Sequence, residues 1–136
     1  MIYQKEITLP SFGRGYHIIT SIIRENLPDL PDKGLLNIFI KHTSAALTLN
    51  ENADPSVRHD LKRAMKEIVP ENRSLYTHTL EGSDDMPAHI KSSLYGQSLS
   101  IPITNSNLNV GTWQGIYLCE FRNQKHRRRL VLTLYY

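Results

Sequence analysis

Cysteine is almost absent from this sequence, and long apolar runs are missing altogether. The single cysteine, Cys119, cannot form a disulfide within the chain, so a reducing, cytoplasmic setting is the default expectation. No apolar stretch approaches the roughly 20 residues of a membrane-spanning helix. The opening segment, MIYQKEITLP, lacks the basic and then apolar pattern of a secretory signal. These absences favour a globular cytoplasmic protein without a membrane partner.

Excess positive charge is missing from most of the chain. The formal net charge is +3, yet residues 122–129, RNQKHRRR, carry five cations and no acid, which leaves the remainder at about −2. A local excess predicts a local anion, such as a small phosphorylated substrate. Nucleic acid is not favoured as a partner on this pattern, because no aromatic stacking residues are interleaved with the basic run.

The length of 136 residues suits one domain that spans residues 1–136. Six or seven strand patterns alternate with two or three helix patterns, which predicts an α+β fold. LLNIFIKH, residues 35–42, predicts a strand buried on both faces, because it is too apolar for one wet face. Residues 71–83 predict mostly loop. The late segments SLSIPIT, LNVGTWQGIYLCEFR and RRLVLTLYY predict an antiparallel meander of three strands.

The clearest helix pattern covers residues 55–69. Asp54 suits the N-cap and Pro55 the first helical position, and Pro70 ends the helix. A second helix is predicted from Asp85, as N-cap, to about Gly96. A short helix follows an extended piece in HIITSIIRENL, with Thr20 or Ser21 as its cap. The first helix carries an apolar stripe that should face the core, formed by Val57, Leu61, Ala64, Met65 and Ile68.

The segment THTLEGSDDMPAHI, residues 77–90, carries more polar side chains than a helix start requires. Asp85 and Pro87 fit helix initiation. His89 lies four residues after Asp85 and therefore on the same side of the helix, where an acid and a histidine can hold a divalent cation. His78 lies upstream across a glycine-containing loop, at a spacing that matches no zinc motif. A metal site and a simple capped loop therefore both remain open.

Two further polar groups follow the central strands. His42 shares a predicted strand face with apolar residues, which fits either a core-edge histidine bonded to backbone or a histidine pointed into a cavity. Asn50 and Glu51 end the next strand, where they can reach a ligand or simply form a turn.

The late strands carry three more candidates. Alternation places Gln114, Glu120 and Arg122 on one strand face, which predicts either a groove or a solvent-facing surface. If its strand is regular, Arg128 shares a face with leucines and points inward, where a phosphate or Glu120 would be its partner; a solvated hairpin tip is the alternative. Cys119 falls on the aromatic face, which predicts an inert buried thiol.

Five segments together resemble one known family. RGYH, HTSAALTLNENADPSVRHDL, EGSDDMPAHIKSSLYG, GTWQGIYLCEFR and the late RR pair are similar, in this order, to the YjbQ-like family, also labelled secondary thiamine-phosphate synthase. The resemblance covers essentially the whole chain. It implies a curved, largely antiparallel, half-barrel-like sheet with two or three helices in a single domain, and a homotrimer.

The resemblance also implies chemistry. A thiamine-phosphate synthase joins a pyrimidine diphosphate to a thiazole phosphate and releases pyrophosphate, with a divalent metal such as Mg²⁺. Histidines suit Zn²⁺ better, so a metal-dependent hydrolase or lyase on another small anionic metabolite stays open, as does a non-catalytic trimeric ligand-binding module. On this basis the expected metal ligands are His42, His78 and His89; the expected catalytic residues are Glu51, Asp84, Asp85, Gln114 and Glu120; and the expected substrate or phosphate contacts are Thr43, Ser44, Asn50 and Arg128.

Overall fold

The secondary structure comes from a computed structural model, which describes residues 1–71, 74 and 76–136; part of the predicted loop, residues 72, 73 and 75, lies outside this range. Three helices are present in the described residues: α1 (Thr20–Glu25), α2 (Pro55–Ile68) and α3 (Asp85–Tyr95). The described strands are β1 (Ile2–Thr8), β2 (Gly15–Ile18), β3 (Lys33–Ile40), β4 (Ala45–Glu51), β5 (Ser98–Thr104), β6 (Asn107–Leu108), β7 (Gln114–Glu120) and β8 (Arg129–Tyr135).

The strands form two antiparallel sheets that curl around one core. The first has the order β1-β8-β3-β5-β6 and the second the order β2-β7-β4. Leu36, Ile38 and Leu132 from the first sheet pack against Leu47 and Leu118 from the second, and all five are buried. The result is the expected α+β fold, a single domain with a half-barrel-like sheet.

Strand β3 is buried on one face only, so the prediction of burial on both faces is wrong for this chain by itself. Leu36, Ile38 and Ile40 face the core, whereas Leu35 and Phe39 are 39% and 44% exposed on the outer face. The two faces alternate as expected for a strand. What the pattern cannot show is that, among the described residues, neither a helix nor the second sheet covers the outer face.

Strand β7 is buried on both faces. One face was predicted either to line a groove or to face solvent, and both predictions are wrong for this strand. Leu118 packs into the core between the sheets, and Tyr117 and Phe121 pack under the helices with the buried thiol of Cys119. The predicted meander is also wrong, because β7 joins the second sheet between β2 and β4 while β8 lies between β1 and β3. The turn that redirects the chain is closed by Gln114, whose Oε1 accepts the Gly111 N–H at 2.8 Å.

The predicted bounds of α2 are confirmed within one residue, but its predicted packing against the core is not. Asp54 caps α2 and accepts the Ser56 N–H at 2.9 Å, with Pro55 as the first helical residue. Among the residues of α2, all of them described, none is fully buried, and Ile68 is 67% exposed. Thr20 does not cap α1; its hydroxyl accepts the Ile116 N–H instead.

An ion pair joins the ends of three strands inside the protein. Arg128 donates through Nε and Nη2 to the two carboxylate oxygens of Glu120, at 2.7 and 2.5 Å, and through Nη2 to Ser44 Oγ at 3.0 Å. Glu120 is fully buried and Arg128 is 3% exposed. A charge placed in such surroundings is tolerated only when its partner is present.

We therefore predict that Glu120→Gln destabilises the protein by about 3–5 kcal/mol, because it leaves the Arg128 guanidinium buried without a counter-charge. Urea denaturation followed by circular dichroism measures the loss. The matched control removes both charges: Glu120→Met with Arg128→Met should lose clearly less than the single variant. A single-variant loss below about 1 kcal/mol would contradict the prediction.

Candidate functional site

The polar site is built on the first turn of α3. The N-cap is Asp84, not Asp85 as expected, and neither side chain bonds the helix's own free N–H groups. Asp85 is the first helical residue, and its side chain is only 2% exposed. Its carboxylate is therefore free of a capping role and turns to side chains of other segments.

Two histidines converge on one oxygen of Asp85. His78 Nε2 lies 2.7 Å from Asp85 Oδ2, and His89 Nε2 lies 3.2 Å from the same atom. The three ligand atoms lie within 4.8 Å of one another. His89 reaches this position because it follows Asp85 by one helical turn, whereas His78 is brought there by the loop before α3.

The tautomer of His89 follows from its second nitrogen. Nδ1 lies 2.8 Å from the carbonyl oxygen of Thr43, and a carbonyl only accepts, so Nδ1 carries the proton. In the neutral ring, Nε2 therefore presents a lone pair to a carboxylate oxygen. That approach is favourable only with a cation there, either a second proton on His89 or a metal ion. A backbone carbonyl behind a histidine is also the usual way in which proteins orient a metal-binding imidazole.

Arg122 holds both acids from the end of β7. Its Nε donates to Asp84 Oδ2 at 2.9 Å, its Nη1 to Asp85 Oδ1 at 2.7 Å and its Nη2 to the Glu81 carbonyl at 2.9 Å. The Asn123 N–H adds a further bond to Asp84, at 2.9 Å. The guanidinium thus takes one oxygen of Asp85 and leaves the other for the histidines.

Both acids are held in the charged form. Burial raises the pKa of Asp85, but the His78 hydrogen bond and the charges of His89 and Arg122 outweigh it, so the pKa lies below its usual value. For Asp84, burial again raises the pKa, and the hydrogen bonds from Asn123 and Arg122 lower it by more. At neutral pH the cluster therefore offers a carboxylate rather than a carboxylic acid.

The cluster lies between two open clefts. His89 lines a cleft of about 400 Å³ together with His42, Thr43 and Ser93. On the other side, His78 lines a cleft of about 180 Å³ with Tyr76, Met86 and Pro87. Each cleft therefore reaches one of the two histidines, while Asp85 itself stays buried between them.

His42 lies apart from the other two histidines, although it was expected to share their metal. It follows the end of β3, and its Nε2 accepts the Arg129 N–H at 2.8 Å. The neutral ring consequently carries its proton on Nδ1. Burial, helped by Arg128 and Arg129, lowers the pKa of His42, so the ring is neutral at pH 7. It borders the larger cleft as a hydrogen-bonding group and not as part of the cluster.

Four of the expected substrate and catalytic residues lie near the cluster, in different surroundings. Thr43 is exposed at the larger cleft, next to His89. Ser44, Glu120 and Arg128 form the buried ion-pair network described above. Arg128 therefore points inward as expected, with Glu120 rather than a phosphate as its partner.

The remaining expected residues lie at the opposite end of the second sheet. Glu51 pairs with Gln114, six residues along β7 from Glu120, which is about 20 Å away at strand spacing. Glu51 accepts the N–H groups of Ala53 and Asp54, and Asn50 accepts that of Glu51. Within one chain these side chains shape the turn into α2 and do not reach the cluster.

Two residues of this region escaped the sequence reasoning. The sequence did place Arg122 among the polar residues of its strand. No pattern, however, linked it to the two acids some 40 residues earlier in the chain. For Lys91, no sequence pattern indicated burial. It lies in α3 and is 2% exposed, and burial lowers its pKa to about 8.

Fold and site together define a small α+β protein whose half-barrel-like sheet presents a His–Asp–His cluster at one end. The family model described as UPF0047 protein YjbQ-like matches residues 5–136. The chain therefore belongs to the YjbQ-like family.

Relatives and solved structures agree over nearly the full chain. The UPF0047 protein YjbQ of Escherichia coli O157:H7 is 49% identical over 136 residues, 98% of each chain. A UPF0047 protein from Synechocystis is 41% identical over 131 residues, 96% of this chain and 89% of the relative. A conserved hypothetical protein of Thermus thermophilus matches with a TM-score of 0.83 and 33% identity, over 93% of this chain and 97% of that one.

We predict that Arg122→Gln weakens the fold against acid. Because the folded-state pKa of both acids lies below its usual value, their contribution to stability is present at neutral pH and is lost as the pH falls. Without the guanidinium both pKa values rise, so acid unfolding should begin at a higher pH. Circular dichroism from pH 7 to pH 2 measures the midpoint, and at pH 7 the loss should be about 3 kcal/mol.

Arg63→Gln is the matched control, because Arg63 is exposed on α2 and has no part in the site. It should leave the acid midpoint unchanged. Equal midpoints for the two variants would show that Arg122 does not control the charge of Asp84 and Asp85.

Proposed function

We propose that this protein is a small metal-dependent enzyme that acts on a phosphorylated small molecule. The observation that carries the proposal is the convergence of His78 Nε2, His89 Nε2 and Asp85 Oδ2, with the His89 ring already oriented by the Thr43 carbonyl. The two clefts, one lined by His78 and the other by His89, give a substrate access to the histidines.

The donor set suits a transition metal better than Mg²⁺. Two imidazole nitrogens and one carboxylate oxygen are ligands typical of Zn²⁺, whereas Mg²⁺ prefers oxygen and water. His78, Asp85 and His89 would hold the ion. Bound there, it would supply a Lewis acid that polarises a phosphoryl or carbonyl oxygen.

Hydrogen-bond donors at the larger cleft, with exposed arginines nearby in the chain, support an anionic substrate. Neutral His42 carries its proton on Nδ1, and the exposed Thr43 hydroxyl is a second donor at the same cleft. Arg129 donates its backbone N–H to His42, and its side chain is exposed. Arg127 is exposed as well. These groups would bind and orient a phosphate, while the Arg122 clasp keeps the Asp85 carboxylate in place.

Two reactions fit this site. The first is the thiamine-phosphate synthase activity that the family resemblance implies, as a main or a secondary activity: the carbon–oxygen bond to the diphosphate breaks, a carbon–nitrogen bond to the thiazole forms, and pyrophosphate leaves. The second is hydrolysis or elimination on another phosphorylated metabolite. The His₂Asp donor set favours the second, because it resembles hydrolytic zinc sites in composition.

The test combines metal binding with turnover, on protein purified without a histidine tag. Isothermal titration with Zn²⁺ should give one ion per chain, and His89→Ala should weaken binding on the order of 100-fold, since it removes a ligand. The same preparations are then given pyrimidine diphosphate and thiazole phosphate, with thiamine phosphate and pyrophosphate measured. His59→Ala, an exposed histidine on α2, is the control and should bind Zn²⁺ like the wild type.

The outcomes separate the alternatives. Thiamine phosphate formed by the wild type and lost in His89→Ala supports the synthase. Stoichiometric Zn²⁺ with release of phosphate from model phosphate esters, and no thiamine phosphate, supports the hydrolytic reaction. Failure to bind any divalent metal would overturn the proposal in both forms.

We also propose a homotrimer in a cytoplasmic setting. The outer face of the first sheet supports the assembly, because Ile2, Tyr135 and Leu35 lie in register on adjacent strands and are all exposed, with Phe39 on the same face. Exposed apolar surface of this kind is typical of contact sites between proteins. For the location, the single buried cysteine is in keeping with a reducing compartment. In the described parts of the chain, no helix is long and apolar enough to cross a membrane.

If this face is the subunit contact, Phe39→Glu should convert the trimer to a monomer, because it would bury an unpaired charge. Light scattering coupled to size-exclusion chromatography measures the mass. Leu80→Glu, which places the same charge on a fully exposed loop residue, should remain trimeric. A monomeric wild type, or a trimeric Phe39→Glu variant, would refute the assignment.

A further inference from the structure

Lys91 is a buried cation on the inner side of α3. It is 2% exposed, and its Nζ lies 5.1 Å from the centre of the Phe121 ring. Contact with an aromatic face favours the ammonium form. Among the residues that the structure describes, none gives this Nζ a hydrogen bond or a carboxylate within 4.0 Å.

The acids near Lys91 already have other partners. Glu71 forms an ion pair with Arg14, Asp84 with Arg122, and Glu120 with Arg128. A buried charge without a counter-charge is costly, and proteins normally compensate it. Among the described residues, the Lys91 ammonium is therefore left without a counter-charge of its own.

A small cavity opens at this lysine. Its walls include the cations Lys91 and Lys62, together with Arg14, which is paired with Glu71, and Glu120, which is paired with Arg128. The space open to the centre of a water-sized particle measures about 10 Å³, enough for one such particle, and the cavity is partly open to solvent. Tyr16 does not supply an anion, because burial and the hydrogen bond with Tyr95 raise the pKa of its hydroxyl far above neutrality.

We propose that this cavity is a binding site for a small oxyanion, distinct from the His–Asp–His cluster. One oxygen of a phosphate or carboxylate group fits this space against the Lys91 ammonium. The rest of the ion stays at the opening to solvent, within reach of Lys62 and of Arg14. The cavity lies between α2, α3 and the second sheet, so an anion bound there would hold the loosely packed α2 against the sheet.

Thermal unfolding in inorganic phosphate at pH 7.5 tests the site, with sodium chloride keeping the ionic strength constant. Phosphate at 20 mM, about 20 times a millimolar Kd, should raise the Tm of the wild type by roughly 3–6 °C and saturate. Lys91→Met keeps the length of the side chain and removes the charge. It should lose the phosphate response, and without phosphate its Tm should equal or exceed that of the wild type.

Two controls locate the effect. Lys33→Met removes an exposed lysine on the first sheet and should respond to phosphate like the wild type. His89→Ala should also keep the response, which separates this site from phosphate bound at the proposed active site. If Lys91→Met does not fold, Arg14→Gln and Lys62→Gln should each weaken phosphate binding at least about threefold in isothermal titration.

Three results would overturn the proposal. The first is an undiminished phosphate response in Lys91→Met, or in the Arg14 and Lys62 variants where these are used. The second is an equal rise in Tm with chloride alone, which would indicate general charge screening. The third is a phosphate response that disappears in His89→Ala, which would assign the anion to the metal cluster.

Discussion

The ion pairs of Arg122 with Asp84 and Asp85 are the interaction on which the site depends. It joins the end of β7, the central strand of the second sheet, to the start of α3, which packs against the neighbouring strand β4. The guanidinium fork offers parallel donors to both carboxylates at once, which a lysine could not do. Because Arg122 binds Oδ1 of Asp85, Oδ2 is the oxygen that faces His78 and His89. Arg122 therefore fixes the geometry of the cluster through Asp85, without a hydrogen bond to either histidine.

The curled sheet explains why so many polar residues meet at one end of it. The start of β4, the end of β7 and the start of β8 come together there, and the Glu120–Arg128 pair fixes them from the inside. At the opposite end of β7, Gln114 pairs with Glu51 of β4, and these two residues order the turns into β7 and α2. The polar residues expected from the family resemblance thus divide between residues that lie at the site and residues that shape the backbone.

Part of the site follows from local chemistry, and this part was predictable. A helix start with an acid and a histidine four residues apart places both on one side, and His89 does meet Asp85. Arg128 alternates with leucines and does point inward. The errors arose where one role fits several residues: aspartate is common at the N-cap, which favours Asp85 and Asp84 alike, and it is Asp84 that holds the position.

By itself, the sequence determined the α+β class, the bounds of α2 within a residue, the end of α3, and the family, because periodicity, capping residues and short motifs are properties of neighbouring positions. Only the tertiary structure decided which histidines share an oxygen, that His42 stands apart, and that β7 is buried on both faces in the second sheet. The reason is that these depend on contacts between residues dozens of positions apart. Alternation along a strand shows that two faces differ, but only the packing of the curled sheets shows what lies against each.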